Sequence, residues 1–221
     1  MLYAANPAED LIDSEFPEIY RHLIEPALRR AYAAADMVMD REEFLSTPSA
    51  AVQRGDLIML AAEHQFHKLV RDNFLPFDAS WDDHAAPTGK HLVLRSPGAL
   101  ITINQVEFPG KKPRYAAFRD TYAAQNTAYL FEEWNEEVAR DDRRGHILLL
   151  HGYGSLRFCN LAVPHPTQSR LIWKTPSLLA IDHVDDSATT SGGEGPAESP
   201  DAEIDEDVVE HVLRDLRDSR G

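Results

Sequence analysis

Two β-rich runs, His91-Leu-Val-Leu-Arg95 and Ala99-Leu-Ile-Thr-Ile-Asn-Gln-Val-Glu-Phe108, flank Ser96-Pro97-Gly98. Branched side chains favour extended backbone, and a short Pro/Gly connection turns the chain back on itself, so this stretch predicts an antiparallel hairpin. Leu92, Leu94, Ile101 and Ile103 are its candidate core residues, with the buried face set by register. His146-Ile-Leu-Leu-Leu-His151 is a continuous apolar run between turn residues and reads as a central strand buried on both faces. Leu156–Val163 and Arg170–Lys174 read as further strands, and Leu178–Ile181 as a last short strand or turn.

Helical spacing precedes and separates these runs. From Ser14 to Asp40, Phe16, Ile19, Tyr20, Leu23, Ile24, Ala27 and Leu28 recur at threes and fours, with Pro26 expected to kink or split the helix. A second helix is expected over Ser49–Asn73, and Leu75–Gly89 reads as loop because Pro, Asp, Ser and Gly punctuate it. Arg114–Arg140 reads as a long helix with Phe118, Tyr122, Leu130, Trp134 and Val138 on one line and Asn126 as the break. The order predicts an α+β fold: a mostly antiparallel sheet of four to five strands carrying about three helices on one face. Residues 1–184 are expected to form one domain, with a helical part over 1–75 and a β-rich part over 90–184.

At 221 residues, with 43% hydrophobic side chains, the chain can bury a core of that size. No stretch approaches a membrane-spanning length of apolar residues, and the N-terminus shows no secretory pattern. A single cysteine, Cys159, leaves no intramolecular disulfide and fits a reducing, cytoplasmic setting. The net charge of −15 disfavours generic nucleic-acid binding and favours basic partners.

That charge is unevenly spread. Residues 185–221 hold 12 acidic and three basic residues, a net −9. The stretch 185–205 carries no aliphatic side chain larger than Ala before Ile204 and reads as a disordered acidic linker. Residues 206–221 regain a pattern: Val208, Val209, Val212, Leu213 and Leu216 make one apolar face of a short amphipathic helix, which needs a surface to dock on.

Two sets of residues carry the chemistry. His64 and His67, one turn apart, with Asp82, Asp83 and His84 in the following stretch, are ligand types for a divalent transition metal, although no His-Glu-x-x-His is present. Lys90, Arg95, Lys111, Lys112, Arg114 and Arg119 form a local basic cluster near Glu107 and Asp120, suited to an acidic partner, to the chain's own tail, or to local nucleic-acid contact with Tyr115, Tyr122 and Trp81 as stacking groups. Gly152-Tyr-Gly154-Ser155 lacks the features of a P-loop or a nucleophile elbow and reads as a hairpin turn, and Cys159 reads as a buried structural thiol. The expected function is therefore a non-enzymatic interaction or regulatory protein, antitoxin-like or an accessory subunit, without cofactor or membrane. Its expected partner is a protein, a basic one among the options, with nucleic acid reached only through the basic cluster or through a partner. The alternative is a metal-dependent hydrolase or nuclease with its site in residues 63–84.

Overall fold

The computed structural model describes residues 6–84, 89–130 and 144–179. It is an α+β fold. The helices are α1 (Pro7–Glu15), α2 (Glu18–Arg21), α3 (Ile24–Arg41), α4 (Arg54–Arg71) and α5 (Ala117–Leu130). The strands are β1 (Asp78–Asp83), β2 (Lys90–Arg95), β3 (Ala99–Val106), β4 (Gly145–Gly152), β5 (Cys159–Pro164) and β6 (Leu171–Lys174). They form one sheet in the order β1-β2-β3-β4-β5-β6.

The expected strand count was four to five, and the sheet has six. The additional strand is β1, inside the stretch read as loop. Its aspartates and serine suggest a turn, but β1 lies at the sheet edge and every residue pairs with β2, from Asp78↔Arg95 to Asp83↔Lys90. Its polar side chains are satisfied across the ladder, so their low strand propensity is overridden. Four of the five strand pairings are antiparallel, as expected, but the sheet is mixed: β3 and β4 run parallel from Ala99↔Gly145 to Val106↔Gly152, because α5 provides the crossover that a parallel pair requires.

That crossover corrects a second expectation. Strand side chains alternate between faces. Ile101, Ile103, Ile147, Leu149, Leu161 and Val163 point to one face and pack with Leu11, Phe16, Leu28, Ile58 and Phe66 of the N-terminal helices in one apolar core. The segments before and after residue 75 thus share that core. The even-numbered residues of β4 point to the other face, where Leu148, Leu150, Val106, Phe158 and Ala162 form a smaller cluster. Asn126 of α5 bonds His146 on this second face, so the helices cover both faces and not one. The full burial of β4 is the result.

Local boundaries have clear causes. Asn6 caps α1 by accepting from Ala8 N–H, and the helix stops before Pro17. Pro26 does not kink α3. The helix begins at Ile24, so Pro26 sits in its first turn, where no intrahelical N–H is needed. α4 starts at Arg54 and not Ser49, after a 3₁₀ turn at Ala51–Gln53. In the hairpin turn Ser96 N–H donates to the Ala99 carbonyl, and Glu15 accepts from Gly98 N–H at 2.8 Å, tying α1 to the sheet. Leu178 and Leu179 are not strand; Leu178 N–H donates to the Cys159 carbonyl alongside β5. Among the described residues no helix is long and apolar enough to cross a membrane. Trp134, Val138 and residues 185–221, including Val208, Val209, Val212, Leu213 and Leu216, lie outside the described residues.

Candidate functional site

Parallel strands joined by a helix open a crevice beyond their C-terminal ends, where the chain leaves β3 before turning into the crossover helix. Here that crevice is lined by Gln105, Val106, Glu107, Lys111, Lys112, Arg114 and Tyr153. Residues 107–116 supply its basic wall, and the turn after β4 supplies Tyr153. The space between these side chains is small and continuous with solvent. It is an open trough and not an enclosed cavity.

Its three cations differ in availability. Lys112 is mostly buried and donates to the carbonyls of His165 and Gln168, with Asp120 at 3.8 Å. Lys111 pairs with Glu107 at 2.7 Å on the exposed lip and lies over the Phe108 ring at 5.9 Å. Glu107 is held below the usual carboxylate range by its hydrogen bond from Lys111. Arg114 forms no ion pair among the described residues; its carbonyl accepts from Arg119 at 2.7 Å. Phe108 and Tyr115 of the segment that forms the basic wall, and Tyr153 opposite it in the lining, are each more than half exposed. Gly154, at φ +75°, closes the turn carrying Tyr153, and Arg54 donates to its carbonyl while pairing with Asp36. A Cβ there would be strained, so glycine suits the turn.

Behind the crevice lies a buried polar contact on the helix-rich face. Tyr32 Oη lies within hydrogen-bond reach of both the Gly152 carbonyl and His151 Nδ1, the latter at 2.8 Å. A carbonyl only accepts, so the phenol proton goes to Gly152 and His151 donates from Nδ1. His151 is thereby fixed as the neutral Nδ1–H tautomer, and burial pushes it down to about 3. Burial likewise raises the Tyr32 phenol. Cys159 pairs with His151 across the ladder; its burial raises the thiol far out of the reactive range.

The face under α5 carries a second network. Arg119 donates to Asn104 Oδ1 at 2.7 Å, Asn104 donates to the Thr102 hydroxyl at 3.0 Å, and that hydroxyl meets His146 Nε2 at 2.9 Å. Asn126 accepts from His146 N–H at 2.6 Å and donates to the carbonyls of His146 and Pro164. His91 stacks on Phe118 at 3.7 Å and on His84 at 4.9 Å, and Tyr122 donates to Asp82. Burial pushes His91 down to about 4 and His146 to about 3; nearby cations add to both. Burial also lowers Arg119, while Glu63 opposes the shift.

The expected metal ligands are dispersed by this arrangement. Asp82 accepts from Ser80, Tyr122 and Arg95, and these bonds outweigh its burial and hold it below the usual carboxylate range. Asp83 pairs with Lys90. His84 stacks on His91, and His67 lies against Trp81 on the opposite face of the sheet, with His64 on the same helix. Among the described residues no three His, Cys, Asp or Glu side chains are placed to hold a metal ion.

The basic cluster divides in the same way. Lys111, Lys112 and Arg114 converge on the crevice. Lys90 and Arg95 are paired to β1, and Arg119 is committed to Asn104 beneath α5. Sequence reading missed Gln105, Val106 and Tyr153 as wall residues. The signal for them was the parallel crossover, whose C-terminal end is where loops collect.

The chain is an α+β protein with a basic crevice at its surface. No family model, no curated protein and no solved structure matches the chain.

Proposed function

We propose that this chain is a non-enzymatic interaction protein whose basic, aromatic-rimmed crevice receives an acidic polypeptide segment. One observation carries the reading: on a chain of net charge −15, Lys111, Lys112 and Arg114 converge with Tyr153 on one crevice, and the segment that supplies them also carries the exposed rings Phe108 and Tyr115. Cations select carboxylates, and exposed rings select the aliphatic side chains between them. A nucleic acid would meet the same cations but also the repulsion of the whole acidic chain. The hydrolase reading for residues 63–84 has less support, because its two aspartates are engaged by Arg95, Tyr122 and Lys90.

The test is a titration of the full chain with a fluorescein-labelled decapeptide alternating Glu and Leu. Binding should fall as ionic strength rises, because the contacts are solvent-exposed. Lys111→Glu/Arg114→Glu should weaken it by about tenfold or more, as expected for removed and reversed charge pairs. Equal affinity for the original and the reversed chain would refute the proposal.

A further inference from the structure

The crevice has a candidate occupant in the same chain. Gln105 pairs with His151, His151 pairs with Cys159, and Leu178 N–H donates to the Cys159 carbonyl at 2.7 Å. These four residues form a row across one end of the sheet. Three strand spacings separate Gln105 from Leu178, about 14 Å. The described chain therefore ends, at Leu179, on the same end of the sheet as the crevice.

The sequence beyond Leu179 has the complementary chemistry. Asp201, Glu203, Asp205, Glu206, Asp207 and Glu210 precede or interleave with Val208, Val209, Val212, Leu213 and Leu216. Carboxylates match Arg114 and Lys111, and aliphatics match Phe108, Tyr115 and Tyr153. The 21 residues between Leu179 and Asp201 can span at most about 3.3–3.6 Å each, far more than the distance required. Tethering at that length gives an effective concentration in the millimolar range, which favours the chain's own segment over a free one of equal intrinsic affinity.

We infer that residues 201–216 occupy the crevice in cis and compete with acidic partners for it. This rests on the crevice being an acidic-segment site, as proposed above.

The experiment uses the full chain with Ser199→Cys carrying a nitroxide; Cys159 is fully buried and is not expected to take the label. Paramagnetic broadening is read at the amides of Lys111, Lys112, Arg114 and Tyr153. At low ionic strength their intensities should fall by more than about twofold, and they should recover at about 0.5 M salt. They should also recover in Lys111→Glu/Arg114→Glu. Absence of broadening at low salt overturns the inference. So does broadening that passes to isotope-labelled chains mixed with spin-labelled ones, which would identify a second copy as the occupant.

A second arm separates this inference from the crevice reading. In the full chain, Asp205→Asn/Glu206→Gln/Asp207→Asn should bind the Glu/Leu decapeptide about tenfold more tightly, because the cis competitor is weakened. Decapeptide binding that is unaffected by these changes, with no broadening, leaves the crevice reading standing and removes the cis segment. No decapeptide binding in either form removes both.

Discussion

The two faces of the sheet are held by different physics. The face toward α1, α3 and α4 is an aliphatic and aromatic pack: Phe16, Leu28, Ile58, Phe66, Ile101, Ile103, Ile147 and Leu149 are at most 4% exposed. The face toward α5 buries Thr102, Asn104, Asn126 and His146, joined by specific hydrogen bonds. Dispersion and desolvation tolerate changes of shape that conserve volume. A buried polar network does not, since a lost partner leaves another group desolvated and unpaired. The first face can be repacked; the second must be kept whole.

Paired substitutions sharpen this contrast. Phe66→Ala, on the packed face, should destabilise by about 3–5 kcal/mol through lost burial and a residual cavity. Phe66→Leu should cost about 1 kcal/mol, because much of the volume is retained. On the opposite face Asn126→Leu keeps the number and branching of the side-chain heavy atoms, yet it removes the partner of His146 N–H and of two carbonyls. It should cost about 2–4 kcal/mol, set by those orphaned groups. Chemical denaturation of the three variants checks the claim. If Asn126→Leu is no worse than Phe66→Leu, the network is not what holds α5 on the sheet.

The faces also differed in how far the sequence exposed them. Periodicity identified the apolar members of β2, β3 and β4, because the hydrophobic effect is non-directional and leaves its mark in composition. Asn126 marks where that approach stops. It reads as a break in the α5 stripe, yet it is the fully buried residue that clamps His146 and Pro164. β1 was hidden for a related reason: Ser80 and Asp82 look like turn residues until Arg95 and Tyr122 are brought across to them. The crevice was half legible. Lys111, Lys112 and Arg114 stand together in sequence, whereas Tyr153 and Gln105 join them only once β3 and β4 are parallel.

Acid should act on both faces through their histidines. His91 and His146 sit under α5 and His151 lies against Tyr32, with folded values near 4, 3 and 3 against 6.5 unfolded. Their folded values are depressed, so between those values and 6.5 the unfolded chain binds more protons. Stability is then full above about pH 6.5 and falls as the pH drops, each ring contributing about 1.4 kcal/mol per pH unit. The melting temperature should decline steadily from pH 7 to pH 5. His146→Asn, which retains polar groups at the site, should give a shallower decline whatever its stability at pH 7. An unchanged melting temperature over that range would mean these rings are not buried neutral.

The smallest expected effect comes from two adjacent carboxylates on β1, which point to opposite faces. Asp82 faces α5, is 27% exposed, and accepts from Arg95 at 2.5 Å and from Ser80 and Tyr122 at 2.8 Å. Asp83 meets Lys90 at 2.7 Å, but the two side chains are 79% and 58% exposed. Both pairs look sound by distance alone. Solvent screens the second, and ordering two long side chains offsets most of its attraction, so Asp83→Asn should change stability by less than about 0.5 kcal/mol. Asp82→Asn loses charge-assisted bonds from Arg95 and Tyr122 within a partly buried cluster and should cost about 1–2 kcal/mol. Double-mutant cycles of Asp82 with Arg95 and Asp83 with Lys90 isolate the two couplings. If both are equally small, the polar character of the α5 face does not extend to the sheet edge and stops at Tyr122.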